Sequence, residues 1–124
     1  MSKILIADDE DSMRQLVARA IAMDGHQTVT AQDGAEALEI LTRADGGFDL
    51  LLTDIQMPVM DGIALALSAK RDYPGLTILL MTGYAAQRER ASNLSAIAHD
   101  VISKPFSVAD IRTAVADALA AKKG

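Results

Sequence analysis

The sequence predicts an α/β domain in which a five-stranded parallel sheet is wound with helices on both faces. Three observations lead there. Five short apolar runs alternate with stretches of helical periodicity over the 124 residues. The central runs are apolar on consecutive residues, as strands buried on both faces are. The connections are a few residues each, and alternating strands and helices on short connections imply right-handed crossovers and one parallel sheet.

The elements follow in order. Ile4-Leu5-Ile6-Ala7 is a first strand, closed by Asp8-Asp9-Glu10-Asp11. Ser12 or Asp11 is expected to cap the first helix, whose positive end suits the acids. Met13, Leu16, Val17, Ala20 and Ile21 form its apolar face, and Gly25 stops it. Gln27–Ala31 is a more polar strand, expected at a sheet edge. Asp33-Gly34 turns the chain into a second helix, with Ala37, Leu38 and Leu41 on its inner face and Gly46-Gly47 at its end.

The third strand lies in Phe48-Asp49-Leu50-Leu51-Leu52-Thr53-Asp54, and Pro58 and Asp61-Gly62 follow it. Asp61 caps a third helix over 62–72, which Tyr73-Pro74-Gly75 ends. That helix is apolar almost all round; its small alanines are expected to face water without consequence, and the alternative is an exposed Leu65 or Leu67 used for contact. Thr77–Met81 is the fourth strand, closed by Thr82-Gly83. A polar fourth helix is expected over Ala85–Ser95, then a small fifth strand at Val101-Ile102 ended by Lys104-Pro105. Ser107 caps a fifth helix striped by Val108, Ile111, Val115 and Leu119.

Composition narrows the function. The net charge of −5 argues against nucleic acid as a direct partner. There is no cysteine, which excludes disulfides, thiolate metal sites and cysteine nucleophiles. No stretch has the length of a bilayer span or the form of a signal peptide, so the expectation is a soluble cytoplasmic monomer. His26 and His99 lack ligand spacing, and the methionines fill the core.

The informative fact is where the polar residues fall. Asp8 and Asp9 end strand one, Asp54 strand three, Thr82 strand four and Lys104 strand five. Parallel strands put these ends on one sheet edge, where open α/β sheets bind ligands. Each residue taken alone is an ordinary cap, turn or surface residue; together they form a site. Converging carboxylates repel, and burial would neutralise at least one of them. A hard divalent cation such as Mg²⁺ removes that problem. Three carboxylates, one Mg²⁺ and one Lys⁺ sum to zero. Such a site can accept a phosphoryl group, with Asp54 as nucleophile and Mg²⁺, Thr82 and Lys104 each meeting one oxygen.

These residues, with Met57-Pro58, Asp61-Gly62, Thr82-Gly83 and Lys104-Pro105-Phe106, resemble the response-regulator receiver domain, the CheY-like half of bacterial two-component signalling. The resemblance spans the whole chain. It implies a flavodoxin-like (βα)5 sheet of strand order 2-1-3-4-5 and phosphorylation of Asp54 by a phosphohistidine donor, a histidine kinase or a phosphotransferase. It assigns Mg²⁺ to Asp8, Asp9, Asp54 and the Gln56 carbonyl, the phosphoryl oxygens to Thr82 and Lys104, and a cis bond to Lys104-Pro105. It also implies one receiver domain over 1–124 without an output domain, and a signalling protein rather than an enzyme.

One departure matters. Many receivers place an inward-turning Tyr or Phe where this chain has Val101. Tyr84 is the alternative aromatic reporter. Gly83 is then expected to let the loop after Thr82 shift, so that the fourth helix, fifth strand and fifth helix form the state-dependent surface. The segments 81–85 and 103–106 are similar to stand-alone receivers of the CpdR type, which act as phosphorylation-controlled adaptors for a ClpXP-type protease. Competing functions are an aspartate-nucleophile phosphohydrolase or phosphotransferase, which would need a substrate cap, and a flavin or nucleotide carrier, which would need a phosphate-cradling loop where the acids stand. A receiver that is never phosphorylated would not keep the full residue set.

Overall fold

The structure is a computed structural model that describes residues 2–83 and 95–123. Five parallel strands, β1 (Lys3–Ala7), β2 (Gln27–Ala31), β3 (Leu50–Asp54), β4 (Thr77–Thr82) and β5 (Asp100–Ser103), lie in the order β2-β1-β3-β4-β5. The expected order is therefore the observed one. The polar strand Gln27–Ala31 is at one edge, as its composition suggested. β5 is at the other.

Strand residues alternate between two apolar layers. Leu5, Ala7, Leu51, Ile78 and Leu80 face one side, where α2 (Gly34–Arg43) and α3 (Gly62–Asp72) cover them. Ile4, Ile6, Leu50, Leu52, Leu79 and Met81 face the other, under α1 (Asp11–Ala22) and the last helix, Val108–Lys123. Every residue of β3 is buried. This is why its sequence runs apolar without alternation: both faces are covered. The third strand starts at Leu50, two residues later than its apolar run suggested. Phe48 instead closes the turn after α2 and packs into the core there.

The helix ends explain several local residues. Asp33 does more than turn the chain: its carboxylate accepts from Glu36 N–H and caps α2 at 2.8 Å. Asp61 caps α3 in the same way through Ala64 N–H at 2.8 Å. Ser107 Oγ accepts from Asp110 N–H while the Asp110 carboxylate accepts from Ser107 N–H, a reciprocal capping box. The cap of α1 differs from expectation. Glu10 occupies the cap position without a side-chain bond to the helix's backbone N–H groups, and Asp11 and Ser12 lie inside the first turn. Gly25 follows α1 in the left-handed region at φ 82°, which supplies the turn a glycine tolerates best.

Packing corrects one apolar expectation and narrows another. Leu16 is exposed on α1 and is not part of its buried face, which is Val17, Ala20 and Ile21. On α3, Leu65 is fully buried, and Leu67 is the exposed leucine. The helix expected over 85–95 falls, Ser95 apart, outside the described residues, and Tyr84 falls there too. Among the described residues no helix is long and apolar enough to cross a membrane.

Candidate functional site

The site sits where the sheet order reverses. β1 feeds β2 on one side and neighbours β3 on the other, and such a reversal opens a crevice at the carboxyl ends of the strands. The register fixes who meets there. Ala7 pairs with Thr53, so Asp8 stands beside Asp54 one residue on. Asp54 pairs with Met81, so Thr82 lies one step beyond it. Thr82 pairs with Ser103, and Lys104 N–H donates to the Thr82 carbonyl at 2.7 Å. Four strand ends thus deliver Asp8, Asp54, Thr82 and Lys104 to one edge.

Asp8, Asp54 and Thr82 are buried, and Asp9 is exposed at the mouth. One carboxylate oxygen from each of Asp8, Asp9 and Asp54 lies within 4.8 Å of the others. Lys104 Nζ reaches Asp54 Oδ1 at 3.2 Å and Asp8 Oδ2 at 3.5 Å. Asp8 is tied further by Glu10 N–H on Oδ1 at 3.0 Å, and its own N–H donates to Ala31 O at 3.2 Å.

The electrostatics follow from burial. Desolvation pushes the Asp54 carboxyl up to about 6, against the pull of the Lys104 ammonium; the Asp8 charge adds to the rise. Burial also raises Asp8, offset by Glu10 N–H and Lys104. Burial opposes the charge on Lys104, but the Asp54 and Asp8 carboxylates hold its pKa above the ordinary value. The expected repulsion among converging acids is therefore present. Three hard oxygen donors at this spacing, two of them strained by burial of charge, suit a divalent cation of the Mg²⁺ type.

The loop after β3 is braced in a way its sequence did not reveal. Ile55 N–H donates to Met81 O at 3.0 Å, and Gly62 N–H donates to Ile55 O at 2.8 Å. A Cβ at Gly62 would lie 2.0 Å from the Asp54 carbonyl oxygen. Only glycine lets α3 start this close to the strand that carries Asp54. Gly34 is similar: its N–H donates to Met60 O at 3.1 Å, and a Cβ there would lie 2.3 Å from the same oxygen. Between these two contacts, Val59 adopts φ 68° while 85% exposed, a left-handed conformation that β-branched residues avoid. In the sequence Asp61 reads as a cap and Asp61-Gly62 as part of the receiver motif, and neither reading reveals this close approach. Contact across 26 residues, from Gly34 to Met60 in the loop, leaves no mark in local sequence.

The remaining expected residues divide. Gln56 is exposed in this loop. Val101 is half-buried and packs on the core layer shared with α2 and α3. The Lys104–Pro105 bond is cis, as the resemblance implied. Gly83 has open space where a Cβ would go, so sterics do not require glycine there; what it contributes is backbone freedom alone. His26 accepts a bond from Ser2 N–H at 3.2 Å, an edge contact far from the acids.

With this geometry in place, the comparison with known proteins is direct. The profile of the response regulator receiver domain matches residues 4–116. The chain belongs to the response regulator receiver family. It is 39% identical over 111 residues to the response regulator receiver protein CpdR of Brucella abortus (strain 2308), covering 90% of this chain and 91% of that protein. It is 38% identical over 120 residues to the regulatory protein AtoC of Escherichia coli (strain K12), covering 96% of this chain but 25% of that protein. Receivers of this kind thus form nearly all of one relative and a quarter of another. Among solved structures, the response regulator TrrA of Thermotoga maritima, determined in complex with Mg²⁺ and beryllofluoride, superposes with a TM-score of 0.84 at 29% identity, covering 94% of this chain and 98% of that one. Receiver domains are signalling proteins that bind Mg²⁺ at an acidic pocket, and Asp8, Asp9 and Asp54 form an acidic cluster here.

Proposed function

We propose that this chain is a Mg²⁺-dependent phosphorylation switch with Asp54 as phosphoacceptor. The observation that carries the reading is Lys104 Nζ, set 3.2 Å from Asp54 and 3.5 Å from Asp8 at the edge of a three-carboxylate cluster. Asp8, Asp9, the Asp54 carboxylate and the Gln56 carbonyl would hold the cation. When bound, the cation supplies charge neutralisation for the entering phosphoryl group.

Asp54 Oδ attacks the phosphorus of a phosphohistidine on a histidine kinase or phosphotransferase. The O–P bond forms as the P–N bond breaks, and the imidazole leaves with the electron pair and takes a proton from water. Lys104 then meets one phosphoryl oxygen and the Thr82 hydroxyl another. The bond to Thr82 exists in one state only, so it can bias an equilibrium between two conformations. Val101, packed on the core and without a ring to turn, leaves the loop from Thr82 through Gly83 to carry the change. The surface it reaches is that of β5 and the last helix. The likeness to CpdR along nearly its full length supports an output by protein contact, as an adaptor in regulated proteolysis.

Incubation with acetyl phosphate and Mg²⁺, read by intact mass, tests this. One phosphoryl adduct is expected on the wild type. An adduct that persists in EDTA or on Asp54→Asn would refute the assignment.

A further inference from the structure

Arg14 lies in the first full turn of α1 and points back under the end of β1. Its side chain is only 12% exposed. Nη1 donates to the Asp8 carbonyl oxygen at 2.8 Å, and Nη2 pairs with the Asp11 carboxylate. Its backbone N–H also donates to Glu10 O at 2.9 Å. Side chain and main chain together close residues 8–11 into one turn.

The acceptor matters. The Asp8 carbonyl belongs to the same planar peptide unit as the Asp9 nitrogen. Holding that oxygen fixes the plane, and the plane fixes where the Asp9 Cα stands. Asp8 is secured at its other polar atoms by Glu10, Lys104 and Ala31, whereas Asp9 is exposed and departs from the plane that Arg14 holds. A guanidinium can hold both acceptors in one fork, which a single ammonium point charge cannot.

We propose that Arg14 is a positioning residue for the metal-binding acids, setting the direction of Asp9 through the Asp8 carbonyl. This rests on reading Asp8 and Asp9 as ligands of Mg²⁺. The proposal makes a prediction opposite in sign to simple electrostatics. A fixed positive charge close behind the acids repels a cation, so by charge alone its removal would tighten Mg²⁺ binding. By positioning, its removal weakens it.

Calorimetric Mg²⁺ titration of wild type, Arg14→Met, Arg14→Lys, Val17→Ala and Asp9→Ala decides between them. Arg14→Met should bind Mg²⁺ about tenfold more weakly, the scale of a lost outer-sphere partner. Arg14→Lys should also bind more weakly, although it keeps the charge. Val17→Ala, which loosens the same helix from the core, should keep wild-type affinity. The proposal is overturned if Arg14→Met binds as tightly as wild type or tighter, if Arg14→Lys matches wild type, or if Val17→Ala weakens binding as much as Arg14→Met. Equal affinity of wild type and Asp9→Ala would instead overturn the reading of the acids as ligands, and the proposal with it.

Discussion

Asp54→Asn should make the metal-free protein more stable at neutral pH, although it removes the group on which the proposed function depends. In the folded chain the Asp54 carboxyl titrates near 6, against an ordinary 3.8. That is roughly two pKa units, and at about 1.4 kcal/mol per unit the buried charge costs about 3 kcal/mol. The sign is the reverse of a salt-bridged carboxylate. Between 3.8 and 6 the folded state keeps a proton that the unfolded state has released. Stability therefore falls as pH rises through this window, and the loss is complete above it. Asparagine keeps the shape without the charge. Burying its amide returns about 1 kcal/mol of cost, so the variant should gain roughly 2 kcal/mol at pH 7.5 in EDTA. The gain should vanish near pH 4, where the folded wild type is protonated and the unfolded chain about half so, which leaves the buried charge a cost of only about 0.6 kcal/mol. Asp8 is also raised by burial, but it is present in both proteins and cancels to first order. Urea unfolding of both proteins at several pH values in EDTA measures the difference. Saturating Mg²⁺ should then erase it by stabilising the wild type more. A variant that is no more stable than wild type at pH 7.5, or whose advantage does not decline toward acid, would refute this account of the site.

Three further outcomes follow from the geometry. Gly62→Ala puts a Cβ 2.0 Å from the Asp54 carbonyl oxygen, so thermal melts should show a loss of about 3 kcal/mol or more, larger than any helix-propensity gain. Val59→Asn should stabilise by up to about 1 kcal/mol, because a left-handed β-branched residue costs about 1–2 kcal/mol and this one is exposed; an unchanged melting temperature would argue against stored strain. Thr82→Ala should still take phosphate on Asp54 but lose most of the beryllofluoride-induced amide shifts at Gly83 and in β5, and a full set of shifts in the variant would sink the proposed relay.

How much of this was legible beforehand depends on range. Residues whose role is local could be read directly: Asp61 and Ser107 as caps, Gly25 as a stop, and the doubly buried β3 from its apolar run. The site was legible for the same reason, since a parallel sheet sends every strand's carboxyl end to one edge. Knowing which residue ended each strand was enough to gather Asp8, Asp54, Thr82 and Lys104. Helix faces were less secure. Leu16 and Leu65 have the same chemistry at similar positions in apolar stripes, yet one is exposed and one fully buried, because the neighbouring helix and not the stripe decides the margin.

What stayed hidden is the support behind the site. Gly34, Gly62 and Arg14 act through backbone carbonyls, of Met60, Asp54 and Asp8. A carbonyl is the same atom at every position, so no residue type announces that it will be approached. Glycine before a helix reads as turn chemistry whether or not a Cβ would clash. Arginine on a polar helix face reads as solvated whether or not it turns inward. The side chains proposed to meet the cation and the phosphoryl group are chosen for their chemistry, which sequence displays. The residues that hold them in place are chosen for reach and for vacancy, which appear only once the strands are in register.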